Sequence, residues 1–504
     1  MEKRTILAIA LSLLVLLSWS SLVAKFSPPV KPAPTENRAV VSPPLLTKPA
    51  PAPETETPNP SLFNLAQDKI EVTFNEAQAA IREIKFKHYQ DYKFSLKQGL
   101  LSGDKALVFK KDNNALPTGV AFVYQDAEKQ ITKRFLFHNA NYTIELDIEV
   151  KNLSPQSIQL NLPIILGVLN FAANAEQARF QGVTFMTQDK PMHLNPRKDI
   201  SVANVKFVGL RDRYFCAIIQ PAANNNYTGF IQKLNPQESA VGLSTQDLVV
   251  MPGQQVKQTF SIYLGPQELR IINNLKPDWS AIMYYGTFDI ISRLLLQFLE
   301  FLYGIVHNWG WAIIILSILI YLLLYPLTSK QMHSMKQMQE LQPRIEELRK
   351  IYKDNPQRLN KETMALYQQH KVNPLGGCLP VVLQIPVFFA LYQALIRSIN
   401  LKGAPFLWIK DLSGPDKLFS LTILGNKVDI NILPILMAIG MFIQQKTSLA
   451  QASGSSQEQQ RLMLIIFPVM FGFIFYNMPS GLVLYWFINS TLMLLYQTRA
   501  RRLK

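Results

Sequence analysis

From Ala312 to Leu327 the chain carries no charged side chain; Trp309 and Trp311 stand at the head of this run, and Lys330 and Lys336 lie beyond it. As a helix such a run reaches roughly 24 Å at about 1.5 Å per residue. That approaches the hydrocarbon core of a bilayer, about 30 Å. Backbone N–H and C=O groups find no partner in hydrocarbon, so an apolar run of this kind crosses as a helix. Residues 374–396, 431–445, 462–477 and 481–497 repeat the pattern, and residues 5–24 do so behind Lys3 and Arg4. Basic residues gather between the runs: Lys330, Lys336, Arg344, Arg349 and Lys350 in one stretch, Arg499, Arg501 and Arg502 in another. The positive-inside bias places residues 329–372 and both ends of the chain in the cytoplasm, and residues 400–429 outside. The formal net charge is +16. Its placement beside apolar runs points to topology and a phospholipid bilayer, not to nucleic-acid recognition. The sequence therefore predicts a polytopic α-helical membrane protein with six spans.

Residues 1–26 are expected to be a retained N-terminal anchor. A cleavable signal peptide is the rival, because Leu22-Val23-Ala24 loosely resembles a cleavage site. Residues 27–60, rich in Pro, Ala and Thr, cannot bury a core and should form an extended tether that decouples the next domain from the membrane core. Residues 61–270 read as a periplasmic all-β sandwich. Tyr142-Thr-Ile-Glu-Leu-Asp-Ile-Glu-Val150 alternates apolar and polar with period two, and residues 180–186 and 258–263 are similar. Residues 280–504 are expected to hold the membrane core, with an interfacial amphipathic helix at 288–306 and spans at about 310–327, 374–396, 431–445, 462–477 and 481–497.

The cytoplasmic stretch 329–372 reads as a helical hairpin. Met335, Met338, Leu341, Ile345, Leu348 and Tyr352 step by three and four along one stripe, and Lys353-Asp-Asn-Pro356 breaks the helix. The stripe either packs the two helices together or also offers a methionine-rich contact surface. Cys216 and Cys378 cannot meet across the bilayer, and neither has metal-ligand spacing. No glycine-rich phosphate loop is present, so no nucleotide cofactor is expected, nor any other.

Several stretches carry a resemblance. Asn308-Trp-Gly-Trp-Ala-Ile313, Tyr325-Pro-Leu-Thr328, Asn373-Pro-Leu-Gly-Gly-Cys-Leu-Pro380 with Gln384-Ile-Pro386, Ala404-Pro-Phe406 with Trp408, and Pro479-Ser-Gly-Leu-Val-Leu-Tyr485 occur in order over about 190 residues. Here the chain resembles the YidC-type membrane protein insertases. Gly209-Leu-Arg-Asp-Arg-Tyr-Phe215 and Tyr263-Leu-Gly-Pro266 resemble the form with a periplasmic domain. The resemblance implies a five-helix insertase core, an added N-terminal anchor and a periplasmic β-sandwich. It implies nascent membrane proteins as passengers, handled alone or beside the Sec translocon, and no enzymatic step. Relatives with long basic tails contact ribosomes; the tail here is short, and Arg499, Arg501, Arg502 and Lys504 read as a topology signal.

An insertase lowers the cost of moving a polar tail through hydrocarbon, so polar residues inside the spans are the candidates. Ser317 and Tyr321 share a helix face, Gln384 lies mid-span, and Tyr485 and Asn489 share a face with Trp486 adjoining. They either glue the bundle by interhelical hydrogen bonds or line a hydrophilic groove. By similarity to the family, Ser317 and Tyr321 fall at groove positions and Trp486 at a passenger-contacting one. The chain departs from the family at Tyr321, where most relatives carry an arginine. The run 462–477 is also short, which predicts local bilayer thinning. Two other classes fit less well. A sugar-modifying sandwich needs a histidine meeting a carboxylate, and only His88, His138 and His193 are available, without a motif. A transporter calls for repeats or midplane charges, and these spans show neither.

Overall fold

The computed structural model describes residues 61–502 except 90–91, 103–106, 113–117, 139–140, 161, 172–177, 224–226, 245–247, 354, 371, 373–378, 424–425 and 450–456. The expected anchor, the tether, Cys378 and the residues 373–378 of the most specific motif lie outside the described residues.

Alternating sequence produces sheet first. The nine-stranded sheet runs, edge to edge, through Pro191–Leu194, Gly182–Thr187, Val205–Arg211, Phe215–Pro221, Gln255–Pro266, Thr143–Asn152, Lys129–His138, Gly119–Gln125 and Lys110–Asp112. The three strands expected from alternation all lie in it. Its pairs are antiparallel, with Ile144 opposite Phe137 and Ile262. A four-stranded sheet (Leu62–Ala66, Ile70–Asn75, Ala80–Phe86, Tyr92–Gly99) and a five-stranded sheet (Ile200–Val202, Thr228–Asn235, Glu238–Ser244, Ile164–Asn170, Leu101–Ser102) face it. Phe74 meets Phe122 at 5.7 Å and Phe135 at 5.2 Å between layers. Gly229 of the five-stranded sheet lies against Val208 and Phe185, where a Cβ would come within 3.0 Å of Val208.

One charge sits inside this apolar packing. Lys133 is fully buried, and its Nζ donates to the carbonyls of Ala79 and Leu100, both at 2.7 Å. It also lies over the rings of Phe109 and Phe135, and burial pushes its pKa from 10.5 down to about 7. A neutral amine still has two N–H groups for the two carbonyls.

After strand Gln255–Pro266 come α1 (Leu269–Leu275), a 3-10 turn (Pro277–Ile282), α2 (Asp289–Val306), α3 (Trp309–Glu340), α4 (Gln342–Ile351), α5 (Pro356–Gln369), α6 (Leu379–Arg397), a hairpin of strands Phe419–Ile423 and Asn426–Ile430, α7 (Ile432–Leu449), α8 (Gln457–Phe475) and α9 (Ser480–Arg502). Helix α2 buries Ser292, Leu296, Leu299 and Leu302 and leaves Ile290, Leu294, Phe301 and Ile305 exposed on another face. Among the described residues one stretch, Trp309–Lys330 in α3, is long and apolar enough to cross a membrane by itself; Ile432–Thr447 and Leu464–Phe475 are shorter apolar helices.

Two expectations change. The stripe from Met335 to Tyr352 does not belong to one helix. Helix α3 runs unbroken to Glu340 and carries Met335 and Met338, and α4 starts after Leu341 with proline in its first turn. Pro343 has no N–H to donate and its ring crowds the preceding turn, which ends α3 there. Nor is the β-domain decoupled from the helical core. Trp279, Ile282, Met283 and Tyr285 are buried, and the β-domain core extends to Leu296, Ala394 and Ile399. Arg213 Nε donates to the Ile396 carbonyl at 2.8 Å and its Nη2 to the Ser413 carbonyl at 3.1 Å. Arg397 Nη1 returns a bond to the Tyr284 carbonyl at 2.7 Å, and Arg211 Nη1 holds the Ile282 carbonyl at 3.0 Å.

These burials have two measurable consequences. Between about pH 7 and 10.5 the unfolded chain holds a proton that folded Lys133 has shed, so β-domain stability should rise with pH across that window. Lys133→Met should remove that slope and cost about 1–3 kcal/mol for each carbonyl left without a donor; denaturation of the full chain monitored by β-sheet circular dichroism checks both. Arg213→Ala should leave the β-sheet signal intact while trypsin cuts several-fold faster at Lys402 and Lys410, which flank the released seam; unchanged cleavage would show that the seam holds without Arg213.

Candidate functional site in the helical bundle

Polar side chains placed in apolar helices must find partners within the protein. Ser317, fully buried, turns its Oγ back to the Ile313 carbonyl at 2.7 Å, so its hydroxyl is spent on its own helix. Tyr321, one turn further, has a buried hydroxyl with no hydrogen-bond partner among the described residues. Gln384 of α6 donates its Nε2 to the hydroxyl of Tyr485 in α9, and Asn489 Nδ2 donates to the Tyr485 carbonyl at 3.0 Å. Tyr485 is fully buried. Trp486, beside it, packs in a ring cluster with Phe388, Phe475 and Phe471 at 5.3, 5.4 and 5.6 Å. The structure thus brings Gln384, Tyr485 and Asn489 into one network, and leaves Ser317 out of it.

Sequence reading missed part of the polar interior. Among the described residues, Gln445 of α7 and Gln497 of α9 each bury an amide oxygen without a partner, as Tyr321 buries its hydroxyl. Tyr325 meets Tyr496 edge-on at 5.5 Å, and the Tyr496 hydroxyl reaches Ser329 at 3.4 Å. These residues stand near the ends of apolar runs, where a polar side chain reads as a boundary marker. Ser292 is similar: its Oγ donates to the Ala390 carbonyl at 3.0 Å and ties α2 to α6.

In the arm formed by α4 and α5, Leu341 and Ile345 are buried with Val372, and Met338, Leu366 and Tyr367 pack on them. Here the stripe serves internal packing. Met335 belongs to α3 and its side chain lies outside the described ones. Asn355 caps α5 by accepting from the Arg358 N–H at 3.1 Å, and Arg344 reaches His370 at 2.9 Å.

In the β-domain, His193 is stacked on Tyr284 at 4.0 Å and bonds Thr184 Oγ1 at 3.0 Å. Burial pushes its pKa down to about 4. A neutral ring committed to the seam is a poor general acid–base.

The family described as 60Kd inner membrane protein matches residues 301–504, and that described as YidC periplasmic domain matches residues 98–298. A membrane protein insertase YidC of Pelobacter propionicus is 34% identical, over 98% of this chain and 97% of the relative. One of Syntrophobacter fumaroxidans is 31% identical over 99% of each. A solved structure, an active YidC insertase with its first transmembrane domain resolved, aligns over 86% of this chain and 92% of its own at 20% identity and a TM-score of 0.41. Full-length identity of this order, spanning both the β-rich domain and the helical core, shows that the chain belongs to the YidC family of inner-membrane protein insertases.

Proposed function

We propose that this chain inserts nascent membrane proteins into the inner membrane by hydrating a passenger's polar segment inside the helical bundle, not by attracting it with charge. The observation that carries the reading is the set of uncharged polar groups between packed apolar helices: the Gln384–Tyr485–Asn489 network and the unpartnered Tyr321 hydroxyl. A charge at the bilayer centre costs roughly 2.5–3.5 kcal/mol on insertion scales. Polar groups that still need partners lower that cost for a passing tail. The apolar part of α8, Leu464–Phe475, supports bilayer thinning. It reaches only about 18 Å at 1.5 Å per residue.

In this reading there are six spans, residues 1–26 and five in the core, with both termini in the cytoplasm and residues 61–270 in the periplasm. Ser317, Tyr321, Gln384, Tyr485, Trp486 and Asn489 form the passenger route. The arm that carries Met335, Met338, Leu341 and Ile345 receives the passenger. The Sec translocon, and the ribosome through the basic cytoplasmic face, are the partners that the topology makes reachable.

Two experiments test the route. Gln384→Leu leaves the buried Tyr485 hydroxyl unpaired and should destabilise the detergent-solubilised bundle by about 1–3 kcal/mol. Adding Tyr485→Phe removes both partners and should restore stability. If these groups serve passengers, insertion into liposomes stays low in the double variant; recovery of both would make them glue alone. At Tyr321, an arginine 4 Å from a carboxylate gains about 4 kcal/mol before desolvation at an effective dielectric near 20, whereas one hydroxyl contributes roughly 0.5–1.5 kcal/mol. Tyr321→Phe should therefore slow insertion about two- to tenfold for neutral and acidic tails alike, and Tyr321→Arg should be tolerated and favour acidic tails. A parent that already prefers acidic tails strongly would refute the neutral groove.

A further inference from the structure

Helix α3 begins at a crowded corner. Asn308 Oδ1 accepts the Trp311 N–H at 3.1 Å and caps the helix. Phe406 lies across Gly310, where a Cβ would fall 2.1 Å from its ring, and Trp311 meets the same ring edge-on at 5.8 Å. Phe406 and Ile409 exchange both backbone hydrogen bonds, at 2.9 and 2.8 Å. They close a two-residue turn with Leu407 and Trp408 at its tip. Trp408 is drawn back, its Nε1 donating to Asp416 Oδ2 at 3.3 Å. Leu407 is not: it is 73% exposed, with a φ of +52°.

Both facts about Leu407 are unfavourable in water. A positive φ at the first tip position of such a turn suits glycine, and a branched side chain there is strained. An exposed leucine tip also forfeits its burial energy. The neighbourhood supplies an occupant. Trp311, 54% exposed, stands beside the turn at the head of the apolar stretch Trp309–Lys330. Phe301 and Ile305 are exposed on α2, whose Tyr303 stacks on Trp309 at 4.1 Å. The exposed apolar surface is thus continuous with the membrane-crossing helix, at the level where tryptophans mark a bilayer boundary.

We infer that the Leu407 turn is a lipid anchor: it enters the headgroup–acyl boundary of the outer leaflet beside Trp311 and fixes the depth at which α3 enters the bilayer. The inference rests on the reading of α3 as a membrane span, and its test does not use passenger insertion.

The probe is a nitroxide at position 407 (Leu407→Cys) in a Cys378→Ser background, reconstituted into phosphatidylethanolamine–phosphatidylglycerol liposomes. Cys216 is fully buried and burial pushes its thiol pKa up, so it will not label. Labels at Leu323, exposed on α3, and at Lys198, exposed on the β-domain, are the controls. Label 407 should collide several-fold more with oxygen than with a water-soluble nickel chelate, as Leu323 does and Lys198 does not. Nickel accessibility equal to that of Lys198 overturns the anchor. Protection from both reagents also overturns it, since a protein surface then covers the turn. Nickel accessibility at Leu323 would sink the membrane reading itself. Should Leu407→Cys fail to fold, hydroxyl-radical footprinting of the unsubstituted chain in the same liposomes reads Leu407 directly. Oxidation several-fold below that of Val249, exposed on the β-domain, supports the anchor, and equal oxidation overturns it.

Discussion

Hydrocarbon offers no hydrogen-bond partner, so every polar group that the core helices carry inward has to be satisfied by the protein or by what passes through it. Most are satisfied locally. Ser317, Thr328 and Thr491 each return their hydroxyl to the carbonyl four residues earlier, at 2.7, 3.1 and 2.8 Å. A few are satisfied across helices, as Gln384 is by Tyr485 and Ser292 by Ala390. Tyr321, Gln445 and Gln497 are left over. That remainder is the part of the polar interior on which the proposed passenger route rests.

The other half of the molecule solves the opposite problem. The β-domain has water on its outside and a wide apolar interior, yet it must be held to helices whose ends emerge at a membrane surface. Guanidinium groups do this. Arg211, Arg213, Arg293 and Arg397 all reach backbone carbonyls in the seam, and Arg293 also pairs with Asp289 at 2.9 Å. A planar, permanently charged fork with several donors suits carbonyls that ending helices leave open. One side of the seam is therefore set by the strand that ends at Arg211, and the other by the C-terminus of α6. The β-domain is docked onto the core and is not hung from it.

Much of this was legible in the residues. Uncharged runs flanked by lysine and arginine announce membrane helices, and Thr143–Asn152 is visible as a strand because alternation is a local property of the chain. The arm of α4 and α5 was half legible. Its apolar stripe was plain, but the break at Leu341 depends on Pro343, which the stripe crosses without interruption. Gln445, Gln497 and Ser292 were not legible as site residues. A polar residue near the end of an apolar run has the same sequence signature whether it faces water, lipid or a neighbouring helix. Leu407 was hidden for a related reason: its positive φ belongs to the tight turn that Phe406 and Ile409 close, and Phe406 is seated on Gly310, nearly a hundred positions away.

Read alone, the residues marked the long apolar run Trp309–Lys330 and the sheet that precedes the helices. Hydropathy, charge and period are summed along the chain and need no partner. Only the tertiary structure decided which polar side chains are already spoken for and which remain free, because a hydrogen bond is a matter of distance between groups. Ser317 and Tyr321 lie one turn apart on the same helix; one hydroxyl is closed by its own backbone and the other is open.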